Sequence, residues 1–294
     1  MPKGNPSTVR DSAAAGRAPG RRVDVGRVLV CAVLSVFALV VLVPLVATVL
    51  GGFKTLGDLR VNPLGLPSTW VWSNYGDILL SADYWVMLRN SLVVAFLAVV
   101  FTILVASMAA FAFSQLRFFG SKFLLGYVVM GLMFPTATAI LPLFILIRDL
   151  GLMDSHIGLV LPKVAGGISV AVVLFANYFR NLPGELFDAA FVDGCGYFRF
   201  YWEIVLPLSG PIIATVAIIN FVASWNTYFL PMVLLSTPEL FTWPLGLMDY
   251  TDERGSDWQM ICAFVTLTML PMIVVFLAAQ RHVISGLTSG AVKS

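Results

Sequence analysis

Long apolar stretches separated by short polar segments dominate this sequence. A helix needs about 20 apolar residues to cross the hydrocarbon core of a bilayer. Six stretches meet that requirement, at 27–50, 85–113, 122–147, 158–179, 212–235 and 258–280. The fourth is the least regular, because Lys163 and two glycines fall near its start. The pattern predicts an all-α, polytopic membrane protein with six transmembrane helices.

The segments outside these helices complete the predicted organisation. Residues 1–26 are rich in Pro, Gly, Ala and Ser and carry five basic side chains, which is typical of a disordered basic tail. The apolar stretch behind this tail is too long for a cleaved signal peptide and lacks a small-x-small site. We therefore expect a six-helix domain over 27–281, with a loop at 181–208, and a C-terminal tail over 282–294.

The distribution of Lys and Arg indicates an orientation. With the N-terminus inside, the inner segments hold twelve Lys and Arg, against six in the outer segments and their helix ends. Cytoplasmic loops carry such an excess. Half of it comes from the tail, so the charge count supports this orientation without deciding it. Both termini and the loop between the fourth and fifth helices are predicted to be cytoplasmic, in a multi-pass protein of the plasma membrane.

Composition excludes several classes of protein. Charged residues make up 12% of the chain and mean hydropathy is +0.91, whereas soluble domains carry about 25% charged residues. Three cysteines without a CxxC pair and two histidines predict neither a disulfide framework nor a metal site. No Gly-x-x-x-x-Gly-Lys-Ser/Thr sequence is present, so this chain is not itself an ATP-hydrolysing subunit.

The predicted cytoplasmic loop has a helical pattern of its own. Pro183 suits the first turn of a helix, Asn181 is expected to cap it, and Glu185 favours its positive end. Gly194 can supply the positive φ that ends the helix. A second short helix is expected to start over 197–205 and to be terminated by Pro207 and Pro211, before the fifth span.

This loop resembles the cytoplasmic EAA loop of permease subunits of binding-protein-dependent ABC importers. The resemblance rests on Pro183-Gly-Glu-Leu-Phe-Asp-Ala-Ala-Phe-Val-Asp-Gly194 and on Ile204-Val-Leu-Pro207. Asp188 stands where the family usually has Glu, which keeps the charge on a shorter side chain. The two alanines are expected to let another protein approach closely. The resemblance implies that an ATPase subunit contacts Glu185, Asp188, Ala189, Ala190, Asp193, Gly194, Leu206 and Pro207.

Further motifs resemble the second permease subunit of carbohydrate importers of the maltose-transporter type. They are Leu-Gly-Leu-Met-Asp-Ser-His-Ile-Gly-Leu at 150–159, Trp-Asn-Thr-Tyr-Phe-Leu-Pro at 225–231, and the C-terminal segment 280–293. The resemblance implies a tail that contacts the ATPase through Gly286, Leu287 and Gly290. It also implies a second permease subunit, two ATP-binding cassette subunits that hold ATP and Mg, and an extracytoplasmic solute-binding protein. No cofactor in this chain and no nucleic-acid partner are expected.

Polar residues inside the predicted helices are few. Asn220, Ser224 and Thr227 recur at i, i+4 and i+7, which places them on one face of the fifth helix. Thr136 and Thr138 mark a possible break in the third. Such side chains can bond sugar hydroxyls along a pathway, or they can hold helices together at about 0.6 kcal/mol each. The second use is favoured.

The leading hypothesis is therefore a non-catalytic permease subunit that forms half of the pathway of an ATP-driven importer for a sugar or oligosaccharide. The first alternative is the same architecture carrying glycerol phosphate or another polar solute. Phosphate requires a cation in the pathway, for which Lys163 is the candidate. An ion-coupled secondary transporter is less favoured, because no internal repeat is evident. A membrane-embedded enzyme is disfavoured by the lack of a catalytic constellation.

Overall fold

A computed structural model describes residues 25–252 and 255–289, and within them the chain forms thirteen α-helices. They are α1 (Val25–Gly51), α2 (Leu56–Val61), α3 (Ser73–Leu80), α4 (Ala82–Gln115), α5 (Ser121–Met130), α6 (Ile140–Asp149), α7 (His156–Arg180), α8 (Gly184–Val192), α9 (Tyr197–Phe200), α10 (Leu206–Leu208), α11 (Gly210–Trp225), α12 (Phe229–Leu234) and α13 (Trp258–Ser289). The predicted basic tail, 1–26, lies almost wholly outside the described residues.

Shorter elements connect these helices. Four 3₁₀ segments occur at Gly131–Met133, Thr136–Ala139, Pro238–Leu240 and Trp243–Tyr250, and a π-helical turn covers Tyr201–Val205. Two strands, β1 (Thr251–Asp252) and β2 (Gly255–Ser256), pair antiparallel, with Thr251 opposite Ser256. The regular structure is therefore nearly all helical, as the apolar pattern predicts.

Four helices in the described part of the chain are long and apolar enough to cross a membrane. They are α1 from Gly26, α4, α7, and α13 as far as Ala278. A fifth span is possible if Tyr197–Leu208 and α11 are counted together, although the two are bent by 78°. The predicted first, second, fourth and sixth spans thus correspond to continuous helices. The total of six is not reached by length and composition alone.

The third predicted span, 122–147, is not one helix. It divides into α5 and α6, with two 3₁₀ turns and an extended pair of residues between them. Phe134 (ψ 116°) and Pro135 (ψ 116°) both leave the helical region. A residue before proline is pushed out of the α conformation by contact with the proline ring, so Pro135 accounts for the break. The third predicted span is therefore not continuous, and it breaks beside Thr136 and Thr138, where a possible break was predicted.

The fifth predicted span, 212–235, also divides. Helix α11 ends at Trp225, and Asn226, its C-cap, donates its side-chain amide to the carbonyl of Val222 at 3.1 Å. Side chains of this type compete with the helical backbone for hydrogen bonds. Helix α12 begins only at Phe229, so this predicted helix is broken near its C-terminal end.

Contacts divide the chain into two units after Val46, the first of which contains most of α1. Within the second unit, the central feature is the packing of α4 along α7. Small residues line the buried faces of both helices, and Ala106, Ala110, Ala171 and Ala176 are almost completely inaccessible. Small side chains let helix backbones approach closely in a membrane, where dispersion contacts drive association. Helices α5 and α11 contact both members of this pair, α12 contacts α7, and α13 packs against α11.

Asp154 fixes the turn before α7. Its carboxylate accepts hydrogen bonds from the backbone N–H groups of Ser236 (2.9 Å) and Thr237 (3.0 Å) and from the Thr237 hydroxyl. Its own N–H donates to the carbonyl of Leu234 at 2.9 Å. The hydrogen bond from the Thr237 side chain, followed by those from the two backbone N–H groups, lowers the pKa of Asp154 below its usual value. The turn is thereby attached to the segment after α12.

Candidate functional site

The predicted loop helix is α8, and its start differs in detail from the expectation. Pro183 is the N-cap, and its carbonyl accepts the N–H of Leu186 at 3.2 Å. Asn181, expected to be the cap, donates its side-chain amide to the carbonyl of Asn177 at 2.8 Å instead. Its amide therefore completes the end of α7, and the prediction of an Asn181 cap is wrong. Glu185 does lie in the first turn.

Helix α8 ends as predicted, at a glycine with positive φ. Gly194 has φ 76°. Its N–H donates to the carbonyl of Phe191 at 3.0 Å, and the N–H of Cys195 donates to that of Ala190 at 2.9 Å. This pair of bonds is the Schellman motif that closes many helices. A Cβ at position 194 would meet nothing within 4 Å, so the backbone conformation, and not space, favours glycine.

The two alanines of the motif have different surroundings. Ala189 is exposed, whereas Ala190 is 7% exposed and belongs to a buried cluster that includes Phe179, Phe200 and Tyr201. Adjacent residues on a helix point about 100° apart, so one of the two can face the core while the other faces outward. The expectation that both alanines form an open face for another protein is therefore wrong for Ala190. That residue holds α8 against its own chain.

Three large apolar side chains of this helix are exposed, at separate points around its circumference. Leu186, Phe191 and Val192, which we call the α8 apolar surface, are all exposed, Val192 to 87%. Phe191 also packs edge-on against Tyr197, with ring centroids 4.9 Å apart. Phe187 stacks on Phe191 at 4.5 Å from the inner side. These apolar residues are part of the motif, but nothing in the sequence distinguishes them from residues of the core.

The loop is tied to the long helices by side-chain hydrogen bonds. The hydroxyls of Ser107 in α4 and Tyr201 in the π-helical turn lie 2.7 Å apart. The hydroxyl of Tyr178 in α7 donates to the carbonyl of Leu208 at 2.9 Å. Because the partners are far apart in the chain, no local sequence signal points to either bond. A displacement of the loop is thereby coupled to both α4 and α7.

The carboxylates of the predicted contact set all face outward. Glu185, Asp188 and Asp193 are exposed. Arg199, a basic residue of the same loop, forms an ion pair with Glu203 at 2.9 Å. Within 25–252 and 255–289, none of the three forms an ion pair. These carboxylates are therefore available to a partner protein.

The second helical segment of the loop runs from Tyr197 to Leu208. The helical path continues from α9 through the π-helical turn into α10, past Pro207 to Leu208. Leu206 packs against the buried cluster around Ala190, while Pro207 is exposed. Proline is tolerated near the start of a helical segment, where its missing N–H is not needed, and the bend follows at Ser209. The helical path therefore ends between Pro207 and Pro211, the two prolines expected to terminate it.

The predicted polar face of the fifth helix is only partly formed. Asn220 is buried and donates its side-chain amide to the carbonyl of Val216 at 2.9 Å. Ser224 lies near the end of α11, and its hydroxyl is buried without a hydrogen-bond partner among the described residues. Thr227 lies beyond the helix end, in the break before α12. The three therefore do not share one continuous helical face, as had been expected.

The other two predicted pathway residues lie in the break between α5 and α6. Thr138 is exposed, and its hydroxyl donates to the carbonyl of Pro135 at 2.8 Å. Thr136 starts the second 3₁₀ turn of that break. The prediction of an irregular backbone at this point is confirmed. A role for either threonine in binding a solute stays a prediction.

Lys163 joins the broken end of α11 to α7. Its ammonium group donates a hydrogen bond to the carbonyl oxygen of Ser224 at 2.9 Å. Nearby, α7 and α11 approach so closely that a Cβ on Gly167 would lie 2.2 Å from the Asn220 side-chain oxygen and 3.2 Å from the Thr102 methyl carbon. The hydroxyl of Thr102 is also buried without a partner in the described part of the chain. Polar groups of three helices thus meet here.

Part of the predicted C-terminal tail lies in the described residues. Helix α13 continues beyond Gln280 to Ser289, so Gly286 and Leu287 lie on a helix, whereas Gly290 is outside the described residues. In the described residues, no group of three His, Cys, Asp or Glu side chains is placed to hold a metal ion. The role assigned to the tail stays a prediction.

Comparisons with known proteins agree on one family. Residues 102–289 match the family described as the binding-protein-dependent transport system inner membrane component. A putative ABC transporter permease protein of Caldicellulosiruptor sp. is 34% identical over 261 residues, covering 88% of this chain and 94% of its own. The arabinooligosaccharides transport system permease protein AraQ of Halalkalibacterium halodurans is 34% identical over 260 residues, covering 87% and 92%.

Two further similarities are informative. The sn-glycerol-3-phosphate transport system permease protein UgpE of Yersinia enterocolitica is 33% identical over 263 residues, covering 86% of this chain and 93% of its own. The fold matches one chain of the crystal structure of a bacterial ABC transporter involved in the import of the acidic polysaccharide alginate. That match has a TM-score of 0.77 at 23% identity and covers 91% of this chain and 99% of the other.

Proposed function

Because the chain belongs to the family of binding-protein-dependent transport system inner membrane components, we propose that it forms half of the translocation pathway of an ATP-driven importer for a sugar or oligosaccharide. The names of its relatives support a carbohydrate cargo, since they include permeases for arabino-oligosaccharides and diacetylchitobiose. In this proposal the chain pairs with a second permease subunit in the plasma membrane. Two ATPase subunits bind ATP and Mg, and an extracytoplasmic binding protein delivers the solute.

The observation that carries this proposal is the α8 apolar surface. A protruding apolar patch outside the long membrane helices is typical of a site that binds another protein. The helix that carries these side chains, α8, is held against the rest of the chain by Ala190 and the buried aromatic cluster, so it forms a rigid unit. We assign the ATPase subunit to this surface, with both termini and the loop on the cytoplasmic side.

The exposed carboxylates fit the same assignment. Asp188 lies on α8 beside the apolar surface and has no ion-pair partner among the described residues. A basic side chain on the ATPase can pair with it when the two proteins dock. Because docking would desolvate this pair, removing one of its members should cost about 2–5 kcal/mol, much of it from leaving the other charge buried and unpaired. Movements of the docked ATPase then reach α4 and α7 through the hydrogen bonds of Tyr201 and Tyr178.

The proposal is tested by removing the apolar surface without altering the fold. Val192→Asp should abolish co-purification of the ATPase subunit and solute uptake in cells that express the complete transporter. Val61, in α2, is a matched control because it is 86% exposed, against 87% for Val192. Val61→Asp should leave ATPase binding unchanged. Normal uptake and ATPase retention in the Val192 variant would overturn the docking assignment.

A solute with an anionic group is the second candidate cargo. Glycerol 3-phosphate is named for a relative of similar identity, and an acidic polysaccharide is named for the transporter of similar fold. In this chain, Lys163 favours such a cargo, because its positive charge is placed among the membrane helices beside a break in α11.

A further inference from the structure

Lys163 is a cation within the depth of the membrane helices. It lies about 10 Å along α7 from His156 and about 26 Å from Arg180, at about 1.5 Å per residue. Its hydrogen-bond acceptor, Ser224, lies about 21 Å along α11 from Gly210 on the same scale. Because α7 is long and apolar enough to cross a hydrocarbon core about 30 Å thick, Lys163 lies inside that core when α7 spans the membrane.

The charge of Lys163 is not neutralised by the described part of the chain. The ammonium group has three N–H donors, of which one bonds to the Ser224 carbonyl, and no carboxylate of residues 25–252 or 255–289 pairs with it. Ionisable side chains inside a membrane protein face the bundle interior or a water-filled cavity, and they pair with an opposite charge or with backbone carbonyls, as Lys163 does with Ser224. The remaining donors therefore require an acceptor from outside the described residues.

Lys163 is half-buried beside the polar break at the end of α11. The Ser224 carbonyl also accepts the N–H of Thr227 at 3.4 Å, so Lys163 and the break after α11 meet at one oxygen atom. Asn226 in that break is exposed, and Thr227 is half-buried. Irregular backbone at membrane depth is tolerated only where it is buried in protein or lines an aqueous cavity. An exposed asparagine at the break favours the cavity.

We propose that Lys163, together with the Ser224 hydroxyl, binds an oxyanion of the transported solute as it passes the break between α11 and α12. This inference rests on the proposed transport function and narrows its cargo to solutes that carry a carboxylate or a phosphate. The buried Ser224 hydroxyl, which lacks a partner among the described residues, supplies a second donor. A neutral sugar would leave the charge of Lys163 uncompensated.

The proposal predicts that a cysteine beside Lys163 reacts faster with an anionic reagent than with a cationic one. We would introduce Thr227→Cys and treat the complete transporter in membranes with sulfonatoethyl and trimethylammonioethyl methanethiosulfonates. Peptide mass spectrometry separates modification at position 227 from that at Cys31, Cys195 and Cys262. Unit charges about 6 Å apart interact strongly at an effective dielectric constant of about 20. The ratio of anionic to cationic rates should therefore fall at least tenfold, to order of magnitude, when Lys163→Gln is added.

Two controls keep this result interpretable. Lys163→Arg preserves the charge and should keep the high ratio, which separates loss of charge from misfolding of the glutamine variant. Ser73→Cys, on the exposed start of α3, should show a rate ratio that does not depend on position 163. An unchanged ratio at position 227 after Lys163→Gln would overturn the proposal. It would indicate that the cation is already paired, for example with an acidic residue of the second permease.

Competition distinguishes the possible anions. Glycerol 3-phosphate and galacturonate are added at equal millimolar concentrations, with glycerol and galactose as neutral matches. Slowing of the anionic reagent by glycerol 3-phosphate alone would identify a phosphate, and slowing by galacturonate alone a carboxylate. Absence of protection by both overturns the site. Charge-selective labelling in a complex without ATP-dependent uptake would instead refute the transport function while leaving the anion site standing.

Discussion

Adjacent alanines in α8 offer a direct test of the difference between a docking contact and a structural one. Ala189→Lys and Ala190→Lys introduce the same side chain at neighbouring positions of the same helix. Ala189 is exposed, whereas Ala190 is 7% exposed within the cluster that anchors α8. The motif gives no reason to distinguish the two positions, whereas the structure exposes Ala189 and buries Ala190.

The magnitude follows from the burial of Ala190. Forcing a larger side chain into a packed site costs about 1–3 kcal/mol. Removing an unpaired ammonium group from water costs several kcal/mol more, so a total of about 4 kcal/mol is a conservative lower value. Since about 1 kcal/mol shifts the melting temperature of a protein of this size by roughly 2–4 °C, Ala190→Lys should lower it by roughly 8–16 °C. Ala189→Lys should change it by little.

The assay is thermal unfolding of the purified chain in detergent, followed by size-exclusion chromatography with fluorescence detection. ATPase co-purification is measured on the same samples. We expect Ala189→Lys to remain stable while losing the ATPase, and Ala190→Lys to lose both. Equal melting temperatures for the two variants would refute the assignment of Ala190 to the core of this chain.

Three further predictions follow from named contacts. Gly167→Ala should destabilise the chain by about 1–3 kcal/mol, because the new Cβ would lie 2.2 Å from the Asn220 side-chain oxygen. Gly166→Ala is the control, because a Cβ there meets nothing within 4 Å, and it should be neutral or slightly stabilising in the same unfolding assay. The pKa of Asp154 is lowered in the folded protein, so the stability that it contributes is present above its unfolded pKa of about 3.9 and is lost as the pH falls through its folded pKa. Between pH 6 and pH 3, wild type should therefore lose stability relative to Asp154→Asn. Parallel curves of stability against pH for the two proteins would contradict this. Asp188→Ala should reduce uptake strongly and weaken ATPase binding, while Asp188→Glu should be mild; equal damage from both would show that side-chain length, and not charge, is recognised.

The accuracy of the sequence-based expectations depended on the range of the interactions concerned. Helices α1, α4 and α7 were predicted nearly to their ends, because each is one long apolar run of the length that crosses a bilayer, whereas α13 continues to Ser289, beyond its predicted end at 280. The stop at Gly194 was predicted because positive φ is a local requirement. The breaks at Pro135 and Asn226 were underestimated, since hydropathy averages over a window and does not register a single proline or an amide that bonds its own backbone.

The sequence by itself determined that this protein belongs in a membrane, where its continuous helices lie, and which loop resembles a docking motif. Each of these depends on residue type and spacing along the chain. Tertiary structure decided that Ala190 faces inward, that Tyr201 bonds Ser107 across 94 positions, and that Lys163 reaches the end of α11. These facts depend on which helix faces pack together. That choice is made by contacts between distant residues, and no local pattern encodes it.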